Sequence, residues 1–564
     1  MYMNYLEKAQ IWKNYPNLDP ALKAELDAMD DKALQEAFTT DLEFGTGGLR
    51  GILGVGTSRM NIYIVAKATL GFGRYLAKGD NALARGVAIA HDNRHQSVEF
   101  SRMAAEVLST LGFKVYLFES LRPTPELSFA VRHFGCVGGI MVTASHNPKE
   151  YNGYKIYDDS GCQLVPAEAD KVIEEINNID DIFAIDHSKN HENIVYIGKE
   201  VDDVYIEEVK KIVLRPNLNK DMKFVYTPLH GTGQVFAADV LKQVGYDVYP
   251  LACQMTNDPD FSGVKSSNPE NKEAYDEAIE YAKEIGASIV LATDPDADRL
   301  GIGVEHNGEY VLFNGNQTAS LVLDYILKTR KELGTLPEDG YVFTTNVSST
   351  LPVAIAEKYG MKVEITLTGF KFIGEKAREM EQGKGTYVFG FEESYGCLIS
   401  DCVRDKDSIQ AILMLCETAA YYKEKGMDLV DALNAVYEEY GYYKEGITNI
   451  NLKGLEGAAK IKRIMEYFRT TDIALDSFDI LSKDDVKLSV HTDFATGEKT
   501  TINLPSSNVI KYYLNDNMWF VMRPSGTEPK LKVYYGVVGN SHEQADAKLE
   551  LLAKEVLAIV NNIE

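Results

Sequence analysis

The first ~40 residues carry apolar positions at helical spacing among many charges, as in YLEKAQIWKNY, LKAELDAM and DKALQEAF. They predict a helical surface arm over 1–43. From about Asn61 the pattern changes. Short β-branched apolar runs now alternate with helical periods, as in α/β proteins. VAIAHDNR (87–94) reads as strand then loop. SVEFSRMAAEVLSTLG reads as a helix with Ser97 as N-cap and Gly112 as its stop. FKVYLF is a strand, TPELSFAVRHFG a helix, and VGGIMVTASHNP a strand that runs into a loop. The same schedule returns from Lys223 (KFVYTPLHGTG to ASIVLATDPDADR) and again from YVFTTNVSST to TYVFGFEESYG. Three related βα units follow, each with a polar loop after its last strand. In open α/β sheets ligands sit beyond the carboxyl ends of the strands, so the loops at Ser145, Asp294 and Glu392 are where chemistry is expected.

From about Tyr440 the spacing loosens into several strands and a long closing helix, SHEQADAKLELLAKEVLAIVNNI. That segment reads as α+β. The predicted division is 44–210, 211–315, 316–440 and 441–564, after the arm. With 564 residues the chain has room for about three to five domains.

Charge narrows the partners. The net charge of -26 argues against a general nucleic-acid binder, which needs a basic face, but leaves room for a local anion pocket. No apolar run approaches the roughly 20 residues that span a bilayer. The N-terminal segment has neither the basic start nor the apolar core of a signal peptide. None of the six cysteines sits in a CxxC pair. The expected compartment is a reducing cytoplasm.

Asp294-Pro-Asp-Ala-Asp-Arg299 places carboxylates at i, i+2 and i+4, where one hard cation can hold them against mutual repulsion. Three readings compete. An EF-hand would use Asp294, Asp296, Asp298 and Glu305, but Arg299 stands where the sharp turn needs glycine and the flanks read as strands. A solvated acidic turn is the second. A Mg²⁺ site that shares its ion with a phosphate fits best. Thr143-Ala-Ser-His-Asn-Pro148 presents a hydroxyl at a strand end, fit for a nucleophile or phosphate carrier. Phe44-Gly-Thr-Gly-Gly-Leu-Arg-Gly51 lets backbone N–H groups approach an anion. Arg523-Pro-Ser-Gly-Thr-Glu-Pro529 gathers a guanidinium and two hydroxyls suited to a phosphate dianion. Each loop alone is also compatible with ordinary turn chemistry. Gly369–Lys376 mimics a P-loop but has Glu375 at the lysine position, which argues against an ATP-dependent kinase.

Taken in order, FGTGGLRG, TASHNP, DPDADR, GFEESYG and RPSGTEP resemble the motifs of the α-D-phosphohexomutase superfamily, and within it the phosphoglucomutase/phosphomannomutase group. The resemblance runs from Phe44 into the C-terminal domain. It implies four domains around a central cleft, three α/β with mixed sheets and a fourth, mobile one with a TATA-binding-protein-like α+β fold. It implies that Ser145 carries a phosphoryl group and that Asp294, Asp296 and Asp298 hold Mg²⁺ together with that group. Arg50 and Arg299 are expected near the phosphoserine. His146, Lys155 and Lys371 are the acid/base candidates. Thr368, Gly369, Glu392 and Ser394 are expected to bind the sugar, and Arg523, Ser525, Gly526 and Thr527 its non-reacting phosphate. The implied reaction interconverts glucose 1-phosphate and glucose 6-phosphate, with glucose 1,6-bisphosphate as intermediate and activator. Mannose or pentose phosphates, or bisphosphate synthesis, are the alternatives. Small sugar phosphates are the implied partners of a monomer or homodimer that binds neither nucleic acid nor membrane.

Overall fold

The computed structural model of the chain describes residues 3–45, 48–452, 454–525 and 530–563. The chain divides into two compact units. One comprises Met1–Gly315, Phe370–Phe389 and Ser394–Asp428; the other comprises Asn316–Gly369, Gly390–Glu393 and Leu429–Glu564.

The first unit contains two sheets. Strands β1 (Leu49–Ile52), β2 (Val87–His91), β3 (Val115–Phe118), β4 (Gly138–Val142), β5 (Tyr151–Tyr157) and β6 (Ile194–Ile197) form one in the order β1-β5-β4-β2-β3-β6. Its centre is parallel, whereas β5 runs antiparallel to β4 and to β1. β2 and β4 are buried at every position, as unbroken apolar runs require when helices cover both faces. The second sheet holds β7 (Lys223–Thr227), β8 (Asp247–Pro250), β9 (Ile289–Thr293), β10 (Leu300–His306) and β11 (Glu309–Phe313) in the order β11-β10-β9-β7-β8. Here β7, β8 and β9 are parallel, and β9, β10 and β11 form an antiparallel meander.

Two expectations need correction. The arm is more than a surface appendage. Its helices Tyr5–Asn14, Pro20–Ala28 and Asp31–Phe38 close a small core of Trp12, Leu26, Phe38 and Val55. Trp12 meets Phe38, Tyr63 and Phe183 edge-on at 5.3–5.8 Å. The second concerns Ser97, which does not cap its helix. Gln96 precedes the helix Ser97–Thr110 at φ +66° without a capping bond, and Ser97 Oγ instead donates to Asp92.

The second unit contains β12 (Gly340–Thr345) paired in parallel with β13 (Lys362–Thr366). β14 (Thr386–Glu392) passes from the first unit into the second, and β15 (Gly396–Leu398) belongs to the first. The second unit also contains a seven-stranded sheet of β16 (Tyr442–Asn451), β17 (Ile480–Asp485), β18 (Val490–Asp493), β19 (Lys499–Thr501), β20 (Ile510–Leu514), β21 (Trp519–Pro524) and β22 (Lys530–Gly539). Every adjacent pair is antiparallel, in the order β16-β22-β21-β20-β17-β18-β19. Phe468, from the helix Gly454–Thr470, and Leu552, from His542–Asn561, share one core with Tyr512, Phe520 and Val533 of the sheet. Ser541 caps the last helix by accepting from the Gln544 N–H. The mimic at 369–376 opens the helix Phe370–Glu379 and forms no phosphate loop.

No helix among the described residues is long and apolar enough to cross a membrane. All six cysteines are free.

Candidate active site

Ser145 lies in the loop between β4 and β5, three residues past the end of β4. It sits at φ +51°, a left-handed conformation that few non-glycine residues adopt, and its side chain is buried. Thr143 Oγ1 accepts from the Ser145 N–H at 2.8 Å and donates to Asp92 at 2.6 Å. Arg94 supports the loop from below. Its buried guanidinium pairs with Asp92 at 3.2 Å and donates to the carbonyls of Ser145, Asn147, Pro148 and Tyr151. One cation thus orders four backbone oxygens, and the strained serine is held from both sides.

The aspartate loop is the connection of a hairpin. β9 and β10 pair antiparallel with Thr293 opposite Leu300, so strands flank residues 294–299. That geometry removes the EF-hand reading, which requires helices. Ala297 takes φ +52° at the tip of the turn. All three aspartates are buried, and their ligand atoms lie within 4.8 Å of one another. Asp294 Oδ1 accepts from the N–H groups of Asp298 and Arg299, and its Oδ2 accepts from Ser145 Oγ at 2.9 Å. Asp296 Oδ2 accepts from Lys155 Nζ and Thr124 Oγ1, both at 2.8 Å. Asp296 Oδ1 and Asp298 Oδ1 are buried and accept no hydrogen bond.

Two orphaned carboxylate oxygens beside a third carboxylate that touches a serine hydroxyl make a donor set that fits a small hard cation. The titration of the loop agrees. Burial, followed by the charges of Asp296 and Asp298, pushes Asp294 well above the usual carboxylate range. Burial also opposes the charge on Asp296, but the Lys155 ammonium and the bonds to that carboxylate outweigh it and hold the group below its ordinary range. Lys155 loses stability as an ammonium on burial, and Asp296 and Asp298 more than restore it.

Cations surround the carboxylates. Arg299 Nε is 3.7 Å from Asp298, and its guanidinium also pairs with Glu270. Arg50 donates to Asn147 Oδ1 at 3.1 Å, on the Ser145 loop. His146 Nδ1 lies 3.2 Å from Ser145 Oγ, and burial, then Arg299 and Arg50, pushes its imidazole down to about 2, so the ring is neutral. Lys371 is buried, and its backbone carbonyl accepts from Cys162 Sγ. The sequence-predicted groups Ser145, His146, Lys155, Arg50, Arg299 and the three aspartates therefore share one neighbourhood in the first unit.

The second unit carries most of the other candidates. The Gly369 N–H, at φ +113°, donates to Glu392 Oε1 at 2.7 Å, and Thr368 beside it is half-buried. Glu393 accepts from Ser348 Oγ at 2.9 Å and Thr345 Oγ1 at 3.2 Å. Arg523 lies on β21 opposite Lys532, and the Ser525 N–H donates to Lys530 O at 2.7 Å. Gly526 and Thr527 lie outside the described residues, as do Thr46 and Gly47 of the glycine-rich loop. Ser394 belongs to the first unit and is half-buried.

Four domain models of one family match the chain in sequence order. Phosphoglucomutase/phosphomannomutase alpha/beta/alpha domain I covers 41–182, domain II 203–308, domain III 314–440 and the C-terminal domain 468–554. The chain belongs to the phosphoglucomutase/phosphomannomutase family. Similar curated members include the phosphoglucomutase of Staphylococcus epidermidis (strain ATCC 12228 / FDA PCI 1200), 37% identical over 89% of this chain and 91% of its own. That of Staphylococcus aureus (strain MSSA476) is 34% identical over 96% and 98%. Two solved structures share the fold. Paramecium pp63/parafusin (phosphoglucomutase), in its open form, has a TM-score of 0.67 at 19% identity, over 93% of this chain and 95% of that one. A phosphoglucomutase/phosphomannomutase family protein from Burkholderia thailandensis has a TM-score of 0.66 at 18% identity, over 92% and 98%.

In this family member the structure adds residues that motif reading passed over. Lys406 Nζ stands 3.3 Å from Asp298. The signal was present as an unbroken polar run, Arg404-Asp405-Lys406-Asp407, between apolar segments. Arg94 had a signal too, since it follows β2 at the same sheet edge as Ser145. Glu393, the second acid of GFEESYG, turns to the hydroxyls of Thr345 and Ser348.

Proposed function

We propose that the chain is a phosphoglucomutase that interconverts α-D-glucose 1-phosphate and glucose 6-phosphate through a phosphoserine at Ser145. The observation that carries this reading is the 2.9 Å contact from Ser145 Oγ to Asp294, within a carboxylate triplet that retains two buried oxygens accepting no hydrogen bond. The names of the curated relatives support the glucose assignment. Asp294, Asp296 and Asp298 would hold Mg²⁺, with Ser145 or its phosphate completing the set. Bound there, the ion supplies positive charge that offsets the carboxylates and draws electron density from a transferring phosphoryl group.

The chain's own groups perform the rest. Phospho-Ser145 gives its phosphoryl group to the sugar 6-hydroxyl; the new P–O bond forms as the Ser145 Oγ–P bond breaks, and a base takes the hydroxyl proton. The product is glucose 1,6-bisphosphate. Ser145 Oγ takes up a proton as it leaves, and the bisphosphate turns end for end; Ser145 Oγ then bonds to the 1-phosphorus as the sugar O1–P bond breaks, its proton passes to O1, and glucose 6-phosphate is left. Lys155, Arg50 and Arg299 are cations able to stabilise charge on the transferring group. His146 and Lys371 are the acid/base candidates; burial, Arg299 and Arg50 hold His146 neutral, which suits it to share a hydrogen bond with Ser145 Oγ more than to hold a proton. Glu392 with Gly369, Thr368 and Ser394 would orient the sugar, and the Arg523–Thr527 loop would bind the distal phosphate in both orientations.

The same reading takes glucose 1,6-bisphosphate as activator and assigns a cytoplasmic monomer or homodimer acting on small sugar phosphates. It places the domain divisions at 44, 211, 316 and 441. A coupled assay that offers glucose, mannose and ribose 1-phosphates, with the matching bisphosphates, tests it. Ser145→Ala is expected to lose at least a thousandfold of the glucose 1-phosphate turnover with its fold intact by circular dichroism. Full turnover in that variant, or a preference for another sugar, overturns the assignment.

A further inference from the structure

Thr124 opens the helix Thr124–Phe134 and is fully buried. It makes two bonds to one residue of another domain. Its N–H donates to Asp296 O at 2.9 Å, and its Oγ1 donates to Asp296 Oδ2 at 2.8 Å. Lys155 Nζ takes the same Oδ2 at 2.8 Å. A carboxylate oxygen has about two good acceptor directions, so Oδ2 is saturated and the plane of the carboxylate is fixed. Oδ1 is left buried and without a donor. Rotation of the Asp296 side chain would break both bonds to Oδ2 at once.

We infer that Thr124 is the positioning residue that aims Asp296 Oδ1 at the divalent ion and fixes the aspartate hairpin against the domain that carries Ser145. The inference rests on the phosphoserine reading above. The chemistry suits a neutral hydroxyl. Lys155 brings a full positive charge that competes with a cation for the same carboxylate. Thr124 restrains the oxygen without that competition, and its backbone N–H grips the adjacent carbonyl. Of the groups that bond Asp296 Oδ2, it is the one that can hold the geometry at no electrostatic cost to the ion. A β-branched side chain with restricted χ1 serves this better than a flexible donor.

The test reads metal binding without turnover, using Mn²⁺ as a spectroscopic probe in the full-length protein. Thr124→Val keeps the shape and removes the donor; Thr124→Ser keeps the donor. The Mn²⁺ dissociation constant, by electron paramagnetic resonance titration, is expected to rise about tenfold in Thr124→Val, a loss of about 1.4 kcal/mol. It should stay within about threefold of the parent in Thr124→Ser, the range left for lost packing of one methyl. The KM for glucose 1-phosphate at saturating metal should change less than about twofold in both, because a positioning role acts on the ion and not on uniform substrate binding. Unchanged Mn²⁺ affinity in Thr124→Val overturns the inference, as does equal weakening in the serine variant. If the valine variant does not fold, Thr124→Ala carries the same expectation. Weak Mn²⁺ binding in a protein whose parent turns over no sugar phosphate would leave Thr124 in place and remove the mutase instead.

Discussion

Lys511 is an ammonium where little neutralises it. It lies buried on β20, donates to Asn346 O at 3.1 Å, and faces the rings of Trp519 at 4.6 Å and Tyr513 at 5.2 Å. Burial drives its pKa down to about 8, and Asp484 offsets only part of that. In the unfolded chain a lysine holds its proton to about 10.4. Between these values the unfolded state binds more protons, so stability rises with pH across that window. Below about 8 both states are protonated and the cost of the buried charge is constant. We expect the parent to gain on Lys511→Met, on the order of 3 kcal/mol at most, as pH rises from 7.5 to 10.5. Urea unfolding followed through Trp519 fluorescence checks this. A difference independent of pH would mean that the ammonium is not desolvated.

At the scale of elements, the arm packs rather than decorates. Trp12 is 2% exposed among Phe38, Tyr63 and Phe183. Replacing it with alanine deletes a large buried ring, a change that costs about 3–5 kcal/mol in well-packed cores. The expected result is loss of that stability in the first unit and faster proteolytic cleavage within 5–38, measured by timed digestion. Retention of parental protease resistance would show that the helices stand on their own. The same elements show what the sequence could reveal. The alternation of β-branched runs with helical periods exposed the strands of the first two sheets, and the rule that ligands meet strand ends pointed to Ser145, the aspartates and Glu392. The antiparallel meander after Thr293 was visible as strand-like flanks. Burial of the arm was not visible, because Trp12 is completed by Phe183, far along the chain, and helical spacing says nothing about such a partner. Thr124 escaped for the same reason: it is an ordinary residue in its own segment and acquires a role through Asp296, which the fold brings from another segment. Arg94 and Lys406 left local signals, but what they hold, the Ser145 loop and Asp298, also comes from other segments. The Ser97 cap failed because a local rule met a stronger acceptor, the buried Asp92.

At the scale of the molecule, the two tryptophans divide the reporting: Trp12 belongs to the first unit and Trp519 to the second. The carboxylate triplet lies wholly in the first. Ligand binding stabilises what it touches, by about 2.7 kcal/mol at a hundredfold excess over Kd. Mg²⁺ is therefore expected to slow amide hydrogen exchange over 289–304 while leaving 510–522 unchanged. Equal protection of both segments, or of neither, would contradict a cation held by Asp294, Asp296 and Asp298 alone.

The first unit is not continuous in sequence. Ala297, at the tip of the aspartate turn, has its carbonyl bonded by the N–H and Oγ of Ser408, and Leu300 N–H reaches Tyr395 O. Chains emerge from the ribosome N-terminus first, at about 5–20 residues per second. A nascent chain that has already released its serine loop must wait roughly 13 to 50 seconds more for the segment that fastens the turn. Until position 408 clears the exit tunnel, the aspartate turn lacks its Ser408 bonds, and a polypeptide that stops short of that point would carry all three aspartates yet lack the brace on their turn.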